Sequence, residues 1–449
     1  MVYAARNELP GRISAPTLAA PAAEPNDTGR GDTVVAHSAT LEIDERVRAR
    51  RAAGQPVVHL GFGEAGLPVL PSVREVLAGA ADRNAYGAVA GSVPAREAAA
   101  GYFTRRDLAT DPDQVIYAPG SKALLFALLA VLDGDVVLPQ PCWVSYAAQA
   151  ALAGRGVIPV PIPDEAGGIP DPGRMEHALR AARAEGRVPA AVILTLPDNP
   201  TGTLAPAELV DEVCALAERE DLLIISDEIY RDLAFQQGDF HGPATVVAER
   251  TVITTGLSKA TALGGYRVGL ARLPAGARGM TLRTELVGVA SELWSSLAAP
   301  MQEVARHVYG EPDDVVDYVG RCRRLHATVS KAVHRVFISA GTRCLEPAGG
   351  FYLYPDFAPL RGRLGGTGVA GGADLAELLL TRHGVGVLPG EAFGDDPRAL
   401  RVRVATSLLY GETEDQRWQS LNSEDPLSLP WVAEPLDRLR QALAELGKR

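Results

Sequence analysis

The segment DLLIISDEIY (221–230) decides the fold. Its opening run is short, apolar and rich in Ile, a pattern that predicts a strand buried on both faces. Asp227 closes the strand and Tyr230 follows three residues on. Four more runs repeat the design: QVIYA (114–118), DVVLP (135–139), AAVILTLP (190–197) and RTVITTG (250–256). Helical segments separate them, the first being KALLFALLAVL (122–132). Strands alternating with helices predict an α/β architecture, a mainly parallel central sheet with helices on both faces.

Chemistry-bearing residues follow these strands. PGSK (119–122), PCWVSY (141–146), DNPTG (198–202), DEIY (227–230) and LSK (257–259) each stand just past a strand end. Ligands of open α/β sheets bind at the carboxyl ends of strands. Five loops therefore converge on one crevice.

The length of 449 residues exceeds a usual single core, so two domains are expected. Residues 1–37 read as a mobile arm, without apolar periodicity. Residues 38–55 read as an amphipathic helix associated with the smaller domain. The alternating pattern fills a large domain, 56–300. After that the pattern changes to a smaller α+β domain, 301–449. Helix is expected over 300–335, strands over 336–357 and near 400–406, and helices over 374–383 and 435–447. Residues 411–434 read as an insertion before the last helix. It is taken as a surface excursion, with a lid carrying Trp418 or Trp431 as the alternative.

Lys plus Arg is 44 against 55 for Asp plus Glu, a net charge of -11. That balance argues against a nucleic-acid partner, which needs a basic face. No apolar run is long enough to span a bilayer, and no signal peptide is visible. Cys142, Cys214, Cys322 and Cys344 form no CxxC pair, and the eight histidines do not cluster. Reduced thiols, a cytoplasmic setting and no metal are expected.

Only four lysines are present: Lys122, Lys259, Lys331 and Lys448. Lys259 leaves a strand in TTGLSKATALGGYRVGLA (254–271), with Arg267 eight residues later. A lysine amine can react with an aldehyde, and a guanidinium can grip a phosphate by several bonds. Two surface cations fit the same spacing. Asp227 could hold a heterocyclic nitrogen protonated, or simply cap a helix. Asn199 could bond a ring hydroxyl, or shape an Asn-Pro turn. Gly120, Ser121 and Lys122 open a helix whose free N–H groups suit a phosphate. Trp143 could stack on a planar ring or fill the core.

In this order and spacing the motifs resemble the fold-type I pyridoxal phosphate (PLP) enzymes, specifically the aspartate aminotransferase family (class I/II aminotransferases). The resemblance runs from about 38 to 410, plus the last helix. It implies that 56–300 is the PLP-binding domain and that Lys259 is the Schiff-base and acid/base lysine. Asp227 is then the partner of the pyridinium nitrogen, Tyr230 and Asn199 partners of the ring hydroxyl, and Trp143 the stacking aromatic. Gly120, Ser121, Lys122, Ser258 and Arg267 form the phosphate cup. Tyr86, in AYGAVAGSVPARE (85–97), matches a tyrosine that reaches the neighbouring subunit's phosphate, which implies a homodimer with shared sites. Gly63, in GFGEAGLP (61–68), lies near the substrate carboxylate. Arg401 resembles the arginine that holds that carboxylate, standing four residues before Ala405. Arg403, on the same strand face, is the competing choice.

Two departures bear on the site. Gly256 stands where the family often has serine, so Thr255 or Ser258 must supply any hydroxyl to the phosphate. The family's GEPDF reads GEAGL here (63–67). The expected reaction is transfer of an amino group between an α-amino acid and a 2-keto acid, in biosynthesis within specialised metabolism. The alternative is β- or γ-elimination, replacement or carbon–carbon bond formation on the same residues. A DNA-binding regulator with this fold would need an N-terminal recognition domain, for which the first 37 residues are too short.

Overall fold

The computed structural model describes residues 39–236 and 238–446. The expected arm over 1–37 lies outside them, as does Lys448. The strands in chain order are β1 (Val58–His59), β2 (Val115–Ala118), β3 (Asp135–Gln140), β4 (Val157–Pro161), β5 (Pro189–Thr195) and β6 (Leu223–Asp227). They continue as β7 (Thr251–Gly256), β8 (Gly269–Arg272), β9 (Tyr352–Leu353), β10 (Val385–Gly386), β11 (Leu388–Pro389) and β12 (Val402–Ala405).

Seven strands form the main sheet in the order β2-β8-β7-β6-β5-β3-β4. The pairs β3/β4, β3/β5, β5/β6 and β6/β7 are parallel. β8 runs antiparallel to both β7 and β2. β8 is thus the reversed strand, and β2 points with the other five. The carboxyl ends of β2, β3, β5, β6 and β7, where the sequence puts its motifs, therefore share one edge.

Alternation along the strands sends side chains to both faces. Val136 and Leu138 join Leu124, Leu125 and Leu128 of the helix Ser121–Val131 on one side. Val137, Val192 and Ile224 join Met175, Leu179 and Val213 on the other. Both faces are covered, which is why these strands read as continuous apolar runs. Sequence reasoning missed β4 and β8.

Beyond residue 298 the expected single helix is two, Ala299–Gly310 and Asp313–Ala340. Glu311, at a positive φ of 53°, and Pro312 break it. β11, β12 and β9 make a small antiparallel sheet, and β1 pairs with β10. The helix Ala39–Ala52 packs Ile43 and Val47 on Leu380, Leu388 and Phe393. In 411–434 a helix, Glu414–Asn422, opens on a Thr413–Gln416 capping box. Trp418 meets Tyr318 edge-on at 6.2 Å, and Trp431 donates to Ser420 Oγ at 2.9 Å. The described residues all belong to one unit. No helix among them is long and apolar enough to cross a membrane.

Candidate active site

A cavity of about 530 Å³ opens at the shared strand edge. From the strand-end loops come Ser121, Lys122, Trp143, Asn199, Asp227 and Tyr230, with Ser258, Lys259 and Arg267 beside them. Gly63 enters from the segment after β1, and Tyr352 and Arg403 from β9 and β12.

Asp227 closes β6 and is buried. Its Oδ2 accepts a hydrogen bond from Tyr146 Oη at 2.8 Å, while Oδ1 is buried without a partner. Burial pushes its carboxyl up to about 6, against the lowering effect of the Tyr146 bond. A buried carboxylate with one oxygen unpartnered, on a residue that lines a cavity, fits a protonated ring nitrogen.

Lys259 Nζ reaches the Gly63 carbonyl at 2.5 Å and lies 5.8 Å from the Tyr230 ring centroid. Tyr230 and Tyr352 share a hydrogen bond of 2.9 Å between their hydroxyls. Burial drives the Tyr230 phenol well above its usual range, so it stays protonated. A side chain at Gly63 would displace the Tyr352 hydroxyl, because a Cβ there would stand 2.3 Å from it.

At the other end the helix Ser121–Val131 directs its N-terminus at the cavity. Gly120 has φ of 89°, and a Cβ on it would lie 2.3 Å from Arg267 Nη2. Arg267, itself left-handed at φ 55°, bonds the Gly264 carbonyl at 2.9 Å. Lys122 Nζ sits 5.0 Å from the Trp143 ring centroid. Desolvation, then Arg267 and Lys259, lower its pKa. Helix terminus, guanidinium and ammonium make an anion cup. Of the two expected hydroxyls, Ser258 lines this cavity. Thr255 instead donates to the Glu228 carbonyl at 3.3 Å. A serine at 256 would not serve, since a Cβ on Gly256 falls 2.5 Å from the Val268 carbonyl oxygen.

The arginine expectation needs correcting. Arg401 does not line the cavity. It bridges to Asp356 ahead of β12, and Asp395 takes its guanidinium at 2.9 and 3.0 Å. Arg403 lines the cavity, buried, donating to the Gly61 carbonyl and lying 3.5 Å from Asn199 Oδ1. Its guanidinium stands over the Tyr352 ring at 4.9 Å. Tyr86 stands outside the cavity, 92% exposed. Trp418 and Trp431 do not line it either.

Sequence reasoning missed Tyr146, Thr195 and Tyr352. Tyr146 follows Trp143 by three residues, and its backbone N–H donates to the Trp143 carbonyl at 3.1 Å where the chain enters the helix Ser145–Leu152. Tyr352 stood in GGFYLYP with no marker.

A lysine amine, a buried carboxylate with one unpartnered oxygen and an anion cup around one cavity, on this sheet, define the fold-type I PLP enzyme class. The family model for aminotransferase class I and II matches residues 55–408, and the chain belongs to that family. It is 31% identical over 388 residues to an aspartate aminotransferase of Streptomyces avermitilis, covering 83% of this chain and 90% of the relative. An aspartate/prephenate aminotransferase of Thermus thermophilus is 30% identical over 379 residues, covering 82% and 92%. Among solved structures, aspartate aminotransferase from Thermus thermophilus with maleate matches at TM-score 0.76 and 26% identity, covering 92% of this chain and all of that one. The Rhizobium meliloti aspartate aminotransferase shares the fold at TM-score 0.78 and 24% identity, covering 94% and 100%. The chain is a PLP-dependent aminotransferase, moving an amino group between an α-amino acid and a 2-keto acid. The relatives' names speak for transamination over the alternative reactions.

Proposed function

We propose that the cavity holds pyridoxal 5'-phosphate with its aldehyde toward Lys259, its ring nitrogen on Asp227 and its phosphate in the cup of Gly120, Ser121, Lys122, Ser258 and Arg267. The bound group would supply an electron sink conjugated to the substrate Cα. Asp227, which lines the cavity with its Oδ1 buried and unpartnered, carries this reading, because a buried acceptor without a donor is costly. Trp143 would cover one ring face, and Asn199 and Tyr230 would meet the ring hydroxyl. Lys259, freed by an incoming amine, would carry the proton to and from the substrate Cα. Arg403, in place of Arg401, would hold the substrate α-carboxylate by two parallel bonds. Its burial makes it a strong anchor.

Both relatives are named for aspartate and one solved structure holds maleate, and both molecules are dicarboxylates. Aspartate is therefore the first donor to try. A homodimer with shared sites is also proposed, supported by the exposure of Tyr86 and of Val93, 52% exposed. A spectral screen of amino acids against the purified yellow enzyme tests the reading. Donor alone should convert the bound chromophore to its amine form with release of keto acid. Absence of keto acid for every donor would overturn it. Light scattering of the purified protein tests the dimer, and a monomeric mass would refute it.

A further inference from the structure

A second cavity, of about 510 Å³, lies behind the loop that carries Lys259. Thr255, Gly256, Leu257, Ala260 and Thr261 line it, while Ser258 and Lys259 line the first. The loop is a partition between the two. The facing wall is the joint between the helices Ala299–Gly310 and Asp313–Ala340. There Val308, Val315, Val316 and Val319 present an apolar surface, with Val316 54% exposed.

The polar groups do not balance. Four guanidiniums line the cavity, those of Arg105, Arg106, Arg231 and Arg323, against the carboxylates of Asp232 and Glu311. Arg106 is held by both carboxylates, at 3.0 and 2.6 Å, and Arg105 by Glu311 at 2.6 Å. Arg231 is held by Glu228 at 2.9 Å. Arg323, half-buried, is the guanidinium in excess. An apolar wall with a few converging polar groups is the usual make-up of a small-molecule site.

We propose that this second cavity binds a small carboxylate with an apolar or aromatic body, and that its occupancy alters turnover through the Lys259 loop. The carboxylate pairs with Arg323 and the body lies on the valine wall. Coupling follows because any ligand that holds Leu257 and Ala260 also biases the residues between them. Binding does not depend on the catalytic assignment, whereas the effect on turnover rests on it.

The test uses 3-(4-hydroxyphenyl)propanoate, which has neither amine nor ketone and so is not turned over. Calorimetric titration of the full-length holoenzyme should show a binding component that Arg323→Gln weakens roughly tenfold or more, as expected for loss of a charge-assisted bond. Val316→Glu, an exposed position that folding tolerates, should weaken it too by placing a negative charge on the wall. Turnover at saturating amino acid should change with the probe and stay changed. Unaltered binding in both variants would overturn the site. So would a wild-type effect wholly relieved by excess amino acid, since that places the probe in the first cavity only. Failure of transamination itself would sink the functional reading and leave the calorimetric result standing.

Discussion

Tyr146 donates a 2.8 Å hydrogen bond to one carboxylate oxygen of Asp227 and leaves the other buried without a partner. Its phenol oxygen also lies 2.8 Å from Thr195 Oγ1, which fixes the ring beneath the site. Burial holds the Asp227 carboxyl near 6, and the Tyr146 bond is the first effect opposing it. Removing that donor must raise the pKa further. Tyr146→Phe should therefore weaken PLP binding near neutral pH, by roughly tenfold at most if the carboxyl rises by about one pH unit. The gap from wild type should close at high pH, where both carboxyls are ionised. Fluorescence titration of the apoenzyme with PLP from pH 6 to 9 measures this. A gap independent of pH would reduce Tyr146 to packing.

Lys259 is the amine placed at Gly63 and beside Tyr230, whereas Lys122 lies over Trp143. Lys259→Ala should abolish the borohydride-trapped PLP adduct and lower turnover by at least roughly a hundredfold, as loss of a positioned acid/base does. Peptide mapping of the wild-type adduct checks the assignment. An adduct on Lys122 would transfer the role.

Arg403 and Arg401 separate in the same experiment. Truncating the buried Arg403 should raise the amino-acid KM roughly ten- to a hundredfold, the worth of a charge-assisted carboxylate contact. Arg401→Ala breaks a half-exposed pair with Asp395 and should change KM by less than about threefold. Steady-state kinetics of both variants decides, and the reverse order would restore Arg401.

How much was legible follows from where each signal resides. The strands β3, β5, β6 and β7 are buried on both faces, so their apolar runs stood out in sequence. β4 sits at the sheet edge, with exposed residues alternating and two prolines, and so lacked such a run. β8 was hidden inside the Arg267 motif. Asn199, Asp227 and Lys259 were readable because each stands at or just past a strand end. Tyr146 touches Asp227 across 81 positions, a contact set by strand order, not by local pattern. Period-two alternation put Arg401 and Arg403 on one face, and only the bridge to Asp356 and the Asp395 carboxylate tell them apart.

Gly256 gives a prediction against the family pattern. A Cβ there would press on the Val268 carbonyl oxygen at 2.5 Å and the Gly269 Cα at 3.1 Å, both backbone. Gly256→Ser should therefore destabilise the protein by about 1–3 kcal/mol, the usual cost of overpacking. It should not tighten phosphate binding, whereas Ser258→Ala should loosen it. Chemical denaturation and PLP titration of the two variants check this. Unchanged stability with tighter PLP binding in Gly256→Ser would mean that β8 yields.

Asp198, beside Asn199, gives a pH dependence whose sign can be worked out. It is buried, with Oδ2 bonded to the backbone N and Oγ1 of Thr201 and Oδ1 without a partner. Burial pushes its carboxyl up to about 7, against the Thr201 and Asn199 bonds. Between the ordinary aspartate value and 7 the folded protein binds the extra proton, so stability falls as pH rises through 7. From about pH 6 to 8 the loss is on the order of 1 kcal/mol. Asp198→Asn keeps an acceptor for Thr201 and carries no charge, so its stability should fall less over that range. A small decline of the same sign should remain, because Asp227 titrates near 6. Urea unfolding of apoenzyme at pH 6 and 8 measures both proteins. Equal declines would show that Asp198 is ionised throughout.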